Sequence, residues 1–190
     1  MNAEYKFDEF PRFELERVIL RRAEETDSED LYKLYSDEDV VRYMPFSPFA
    51  SIQEAKDEMG WYTRIFAERS GMRWMIEDKQ SGRVIGTCGF LENEKDHNRA
   101  EIGYDLATGF WGRGIMAEVI NRVLEFGFAA LKLNRIEAKV EPDNLASARL
   151  LDKLGFVKEG VLRQHEFEKG RYVDIAVYSI LSREYSPAGR

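Results

Sequence analysis

The spacing of apolar positions changes abruptly near the middle of the chain. Ile102, Tyr104 and Leu106 alternate with Glu101, Gly103 and Asp105, the period of a strand. From Ile115 onward Ile115, Val119 and Val123 recur beside Met116, Ile120 and Leu124, while Glu118, Asn121, Arg122 and Glu125 hold the opposite face, the period of an amphipathic helix. The glycine-rich turn 109–114 separates the two. Residues 135–141 alternate again, with Ile136, Ala138 and Val140 on one side. Strand, helix and strand in that order predict a right-handed parallel crossover.

The remaining segments read as flanking elements. Residues 13–22 predict a first strand, and the polar cluster 26–30 caps a short helix around Leu31 and Tyr35. A second short helix over 36–43 is stopped by Pro45. Ser51 opens a longer helix to about residue 69, with Ile52, Ala55, Met59, Tyr62 and Phe66 on one face. Residues 74–77 and 83–90 predict two strands joined by the turn 78–82, and the polar stretch 92–99 predicts a hairpin loop. Gly86 and Gly89 inside the second strand mark a bulge, a close approach by a ligand, or local twist and packing. A helix over 144–154 ends at Gly155, and segments 156–167 and 171–181 close the chain as an antiparallel hairpin.

Composition narrows the class. The 190 residues, 44% apolar and 33% charged, suit one domain spanning 1–190, with no apolar run of membrane-spanning length. The first residues show no apolar signal core, so a cytoplasmic protein is expected. A net charge of −7 argues against a nucleic-acid partner and is compatible with a cationic substrate. One cysteine, Cys88, and two histidines offer neither an internal disulfide nor a usual zinc cage, so no metal is expected. Cys88 reads as a buried, inert thiol.

The turn carries the chemistry. A helix N-terminus presents unpaired amides and a positive dipole end, and Gly112 and Gly114 let an anion reach the main chain. A phosphate is the natural occupant, although such glycines also serve simply as tight connections. The run Phe110-Trp111-Gly112-Arg113-Gly114-Ile115-Met116-Ala117-Glu118, after Glu101-Ile102-Gly103-Tyr104, resembles the acyl-CoA pyrophosphate loop of the GNAT N-acetyltransferases, and within them the RimJ/RimL-like ribosomal-protein acetyltransferases. Trp111 and Met116 depart from the general pattern of Gln or Arg, two residues, Gly, one residue, then Gly or Ala; Gly114 keeps it. Asn144-Leu145-Ala146-Ser147 with the Gly155-Phe156 ending is a second match to the same branch.

The resemblance implies a mixed α/β fold. Its sheet would have about seven mostly antiparallel strands, helices on both faces, and a parallel pair splayed apart at the acetyl-CoA site. It implies pantetheine contacts from Leu106, Ala107 and Thr108, with Gly112, Arg113, Gly114, Met116 and Ala117 around the pyrophosphate. By the same resemblance Asn144 would hold the pantetheine, Ser147 would stand near the sulfur, and Glu101 would accept a proton through water. A solvated or structurally paired carboxylate is the other reading of Glu101. The implied activity is acetyl transfer from acetyl-CoA to a primary amine, with a protein N-terminal α-amine of ribosomal type as the expected acceptor. A small amine such as an antibiotic, polyamine or amino acid is a second acceptor class, and a non-catalytic acyl-CoA-binding module is a third reading. A homodimer is expected only at the level of the branch.

Overall fold

The computed structural model describes residues 9–186; the first eight residues, part of the stretch expected to lack a signal core, lie outside them. A single sheet runs through the molecule. Its strands are β1 (Phe13–Glu14), β2 (Val18–Arg21), β3 (Met72–Asp78), β4 (Val84–Glu94), β5 (Arg99–Leu106), β6 (Arg135–Val140), β7 (Val157–Glu168) and β8 (Arg171–Leu181), in the spatial order β1-β2-β3-β4-β5-β6-β8-β7. Every neighbouring pair is antiparallel except β5 and β6. The described residues therefore hold eight strands rather than about seven. Residues 13–22 do not form one strand: Leu15 N–H donates to Val18 O at 2.9 Å, and the resulting turn folds β1 back on β2.

Helices cover both faces. α1 (Ser28–Tyr35), α2 (Glu38–Val41) and α3 (Ile52–Ala67) enclose a core of Leu31, Leu34, Tyr35, Val41, Met59, Tyr62 and Met75. α4 (Ile115–Ala129) and α5 (Leu145–Lys153) pack on the other face, where Val119, Ile120, Val123, Leu124 and Leu151 meet Trp74, Cys88, Ile102 and Ile136. The buried stripe of α3 is Ala55, Met59, Tyr62 and Ile65; Ile52 stays 39% exposed, and half-buried Phe66 turns to the α4 core. Residues 92–99 contain less loop than expected. β4 continues to Glu94, a single 3-10 turn spans Lys95–His97, and Asn98 reverses the chain with φ 48°. A Cβ on Gly86 would stand 2.4 Å from Asp105 O, and one on Gly89 2.0 Å from Met72 O, so both glycines serve close strand packing.

A buried polar network fastens the α1/α3 layer to the sheet. Arg73 on β3 donates from Nη2 to Asp105 Oδ2 at 2.7 Å and from Nε to Thr87 Oγ1 at 2.8 Å. Asp105 also accepts from Thr87 N (3.0 Å), Thr87 Oγ1 (2.7 Å) and the Tyr35 hydroxyl (3.0 Å), which in turn meets the Tyr62 hydroxyl at 2.9 Å. Four donors converge on the buried carboxylate, three on Oδ2 and one on Oδ1, as a charge out of reach of water requires.

The parallel pair is short. β5 and β6 keep register only from Arg99↔Arg135 to Glu101↔Glu137. Beyond that β5 follows β4 (Cys88↔Tyr104, Gly86↔Leu106), while β6 follows β8 (Ala138↔Tyr178, Val140↔Ala176), and the two part. On the side facing β6, residues 102–105 of β5 have no strand partner. Such a split exposes main-chain donors and acceptors inside a sheet, where unpaired groups are costly unless a ligand or water meets them.

Candidate active site

The glycine turn lies at the open end of this split. After β5 the chain makes a 3-10 turn, Thr108–Phe110, and enters α4 through Gly112 (φ 71°) and Gly114 (φ 77°). Both glycines adopt the left-handed conformation that a side chain would strain. Among the described residues, the amide N–H groups of Gly112 through Ala117 donate to no other protein group. Six consecutive amides at the positive end of a 15-residue helix are thus left as donors, a cradle that could hold a diphosphate.

Two contacts hold the cradle in place, and the sequence alone gave no sign of either. Arg17, in the β1–β2 turn, donates from Nη1 to Arg113 O at 2.6 Å and reaches Glu118 Oε2 at 3.3 Å. Trp111 donates from Nε1 to Leu106 O at 2.6 Å, which gives the departure from the family pattern a structural purpose. Leu106 O is therefore engaged, and Ala107 N–H donates to Ile85 O at 2.7 Å. Thr108 Oγ1 donates to Asp37 Oδ2 at 3.2 Å. The open main chain lies just upstream of the expected pantetheine residues, along 102–105. Met116 is buried, Ala117 half-buried and Arg113 exposed, its guanidinium 5.4 Å from the Phe110 ring centroid.

α5 delivers the second group of expected residues. Asn144 caps the helix, its Oδ1 accepting from Ser147 N at 3.1 Å, while its side-chain NH2 donates to no group among the described residues. Ser147 Oγ lies 2.6 Å from the hydroxyl of Tyr104 on β5. Tyr104 was legible only as an apolar-face strand position, yet a phenol on such a face needs a polar partner, and that need is itself a signal. Burial pushes the Tyr104 phenol well above its usual range, so it stays protonated. Cys88, paired with Tyr104 in register, is fully buried and pushed up to about 12 by that burial, as an inert thiol should be.

Glu101 stands on the opposite face, where the strands begin to part. Its Oε2 meets Lys139 Nζ at 2.8 Å across the gap. Burial raises its carboxyl above the usual range and Lys139 opposes the shift, so Glu101 is a paired carboxylate as well as a candidate proton acceptor. More carboxylates continue along this face: Glu92 at 3.6 Å from Lys139, then Glu166, Glu168 and Glu141, the last held by Arg171 at 2.7 Å. Lys169, at the tip of the β7–β8 hairpin, donates to Val41 O at 2.6 Å and Arg42 O at 3.1 Å, closing the hairpin against the end of α2.

Glu168 is 8% exposed, and burial with its neighbours Glu166 and Glu141 raises it to about 7. An unfolded glutamate titrates near about 4.3. Between these values the folded chain binds more protons than the unfolded one. This contribution to stability is complete below the unfolded value and is lost as pH rises through about 7. Glu168→Gln should remove that loss, so the Tm difference between variant and parent should grow from pH ~5 to ~8, each kcal/mol appearing as about 2–4 °C. A parallel pair of Tm curves across that range would show that the carboxyl does not carry the proton.

The glycine cradle, the parted strands and the hydroxyl pair fit an extended acyl-CoA, with its diphosphate at α4 and its thioester between β5 and β6. Similar proteins identify the family. Residues 17–157 match the family described as an acetyltransferase (GNAT) domain. The chain is 43% identical over 171 residues to an uncharacterized N-acetyltransferase, p20, of Bacillus licheniformis, covering 90% of this chain and 96% of that one. It is 30% identical over 169 residues to a spermidine N(1)-acetyltransferase of Vibrio cholerae, covering 89% and 95%. A crystal structure of spermidine N-acetyltransferase from Vibrio cholerae in complex with CoA and spermine superposes with a TM-score of 0.78 at 28% identity, covering 90% of this chain and 99% of that one. The chain belongs to the GNAT family and is an N-acetyltransferase whose cosubstrate is acetyl-CoA.

Proposed function

We propose that this N-acetyltransferase acetylates a primary amine on an acceptor bearing more than one positive charge, with a polyamine as the first reading. The observation that carries it is the row Glu92, Glu101, Glu166, Glu168 and Glu141 on the sheet face opposite α4, answered chiefly by Lys139 and Arg171. Such a field attracts polycations and rejects neutral or acidic acceptors. The likeness to a spermidine N(1)-acetyltransferase supports the same choice. The second reading is the α-amine of a protein N-terminus followed by basic residues. It is favoured by chemistry, because at pH ~7.5 an α-amine is neutral about a third of the time and an alkylamine of pKa ~10.4 only about once in a thousand.

Acetyl-CoA supplies an activated acetyl thioester. In this reading the amides of Gly112 to Ala117 and the Arg113 side chain hold the diphosphate. The unpaired β5 edge, with Leu106, Ala107 and Thr108 at its mouth, lines the pantetheine, and the Asn144 side-chain NH2 is a further donor to it. Ser147 faces the sulfur. Glu101 takes a proton from the bound ammonium through water, leaving the neutral amine that attacks the thioester, a step that a raised carboxyl performs better than an ordinary one.

Two measurements follow. Initial rates of thiol release with spermidine, spermine, and basic, neutral and acidic N-terminal peptides, with the acetylated nitrogen located by mass spectrometry, should rank polycations at least about tenfold above the rest at low salt. Equal rates for neutral acceptors would overturn the proposal; preference for basic peptides over polyamines would select the second reading. Trp111→Phe keeps the ring and removes the donor to Leu106 O. A hydrogen bond of this kind nets about 0.5–1.5 kcal/mol, so KM for acetyl-CoA should rise about two- to tenfold with little change in kcat.

A further inference from the structure

We infer that Tyr104 is a positioning residue for the acetyl transfer, fixing the Ser147 hydroxyl so that its own proton points at the departing sulfur. This rests on the reading of Ser147 given above. Tyr104 Oη and Ser147 Oγ are 2.6 Å apart, and Ser147 is the one hydrogen-bond partner of the Tyr104 hydroxyl among the described residues. If the serine donated to the phenol, the phenolic proton would have no protein acceptor among the described residues. With the phenol as donor, both protons are used: Tyr104 O–H satisfies a serine lone pair, and Ser147 O–H is freed to point elsewhere.

The surroundings fix both partners. Tyr104 stands on β5 opposite Cys88, within the stretch that has no strand partner on the β6 side, and its ring packs against the α4 core. Ser147 is held by the first turn of α5, its amide tied to Asn144 Oδ1. A free serine hydroxyl rotates among three staggered wells, and a short bond to a half-buried phenol on a rigid strand restricts that freedom. As the amine nitrogen forms its bond to the acetyl carbon and the C–S bond breaks, the electron pair goes to sulfur. The oriented Ser147 O–H donates to that developing thiolate. Tyr104 keeps its proton throughout, and the proton lost by the ammonium leaves through Glu101 and water.

The test is a double-mutant cycle with Tyr104→Phe and Ser147→Ala, read as kcat, KM for acetyl-CoA and Tm. Tyr104→Phe should fold with the parental far-UV spectrum and lower kcat about five- to twentyfold, while KM for acetyl-CoA stays within about twofold. Ser147→Ala should lower kcat about ten- to a hundredfold. In the Ser147→Ala background the Tyr104 change should cost nothing further, because the hydroxyl it orients is gone. A hydroxyl that only braces α5 would move Tm and KM instead of kcat. Loss of kcat for Ser147→Ala but not for Tyr104→Phe, or multiplicative losses in the double variant, would overturn this inference and leave the role of Ser147 standing. No loss for Ser147→Ala would remove the serine reading and this inference together.

Discussion

Gly114→Val should raise KM for acetyl-CoA by at least about a hundredfold, equivalent to about 2.7 kcal/mol of binding, with a smaller effect on stability. Two causes act together. Gly114 holds φ 77° as the residue before α4, a conformation that a β-branched side chain adopts only under strain. A side chain there would also stand over the amides that point at the diphosphate. The nearest atom to a Cβ at this site is Arg17 Nη2 at 3.9 Å, so the fold has space for the valine and the penalty falls on the ligand. Titration calorimetry with acetyl-CoA checks this directly, and unchanged affinity would exclude the cradle as the diphosphate site.

Asp105→Ala should cost about 3–5 kcal/mol of unfolding free energy, the range for breaking a buried ion pair by removing one partner. The side chains of Arg73 and Asp105 are 7% and 3% exposed, so the variant would leave a guanidinium, the Thr87 amide and the Tyr35 hydroxyl facing a void. Urea unfolding of the variant and of Arg73→Met/Asp105→Leu separates the contributions. The double change should recover part of the loss, because an apolar pair needs no donors. The network also holds α1 and α3 against β5, so acceptor KM should rise before global stability fails. A loss below about 1 kcal/mol would show that water reaches the site and that the pair is of the surface kind.

The crossover around α4 was readable because two local signals, an alternating strand and a four-residue helical stripe, met at glycines. Nothing local could show that residues 13–22 would fold into two strands, since the break at Leu15 depends on a turn hydrogen bond to Val18. The stripe of α3 drifted from Phe66 to Ile65 because two cores compete for that helix end. In the candidate site, Gly112 and Gly114 stood out as glycines between a strand and a helix, while Asn144 and Ser147 were marked by the resemblance alone. The contacts of Tyr104, Arg17 and the Arg73–Asp105 network were not legible, because each is made with a partner far away in sequence: 43 residues for Tyr104 and Ser147, 96 for Arg17 and Arg113, 32 for Arg73 and Asp105. Glu101 shows the limit from the other side. Sequence marked it as a proton acceptor or a paired carboxylate, and its contact with Lys139 shows the pairing without removing the chemistry.

The central claim is that one turn of backbone grips the cosubstrate while the parted strands present its thioester to an amine from the opposite face. A crystal structure of the enzyme with acetyl-CoA tests it most directly. The account predicts diphosphate oxygens within hydrogen-bonding distance of the amides of residues 112–117, and the thioester between β5 and β6 with its sulfur beside Ser147 Oγ. A diphosphate bound elsewhere, or a thioester on the outer side of β8, would contradict it.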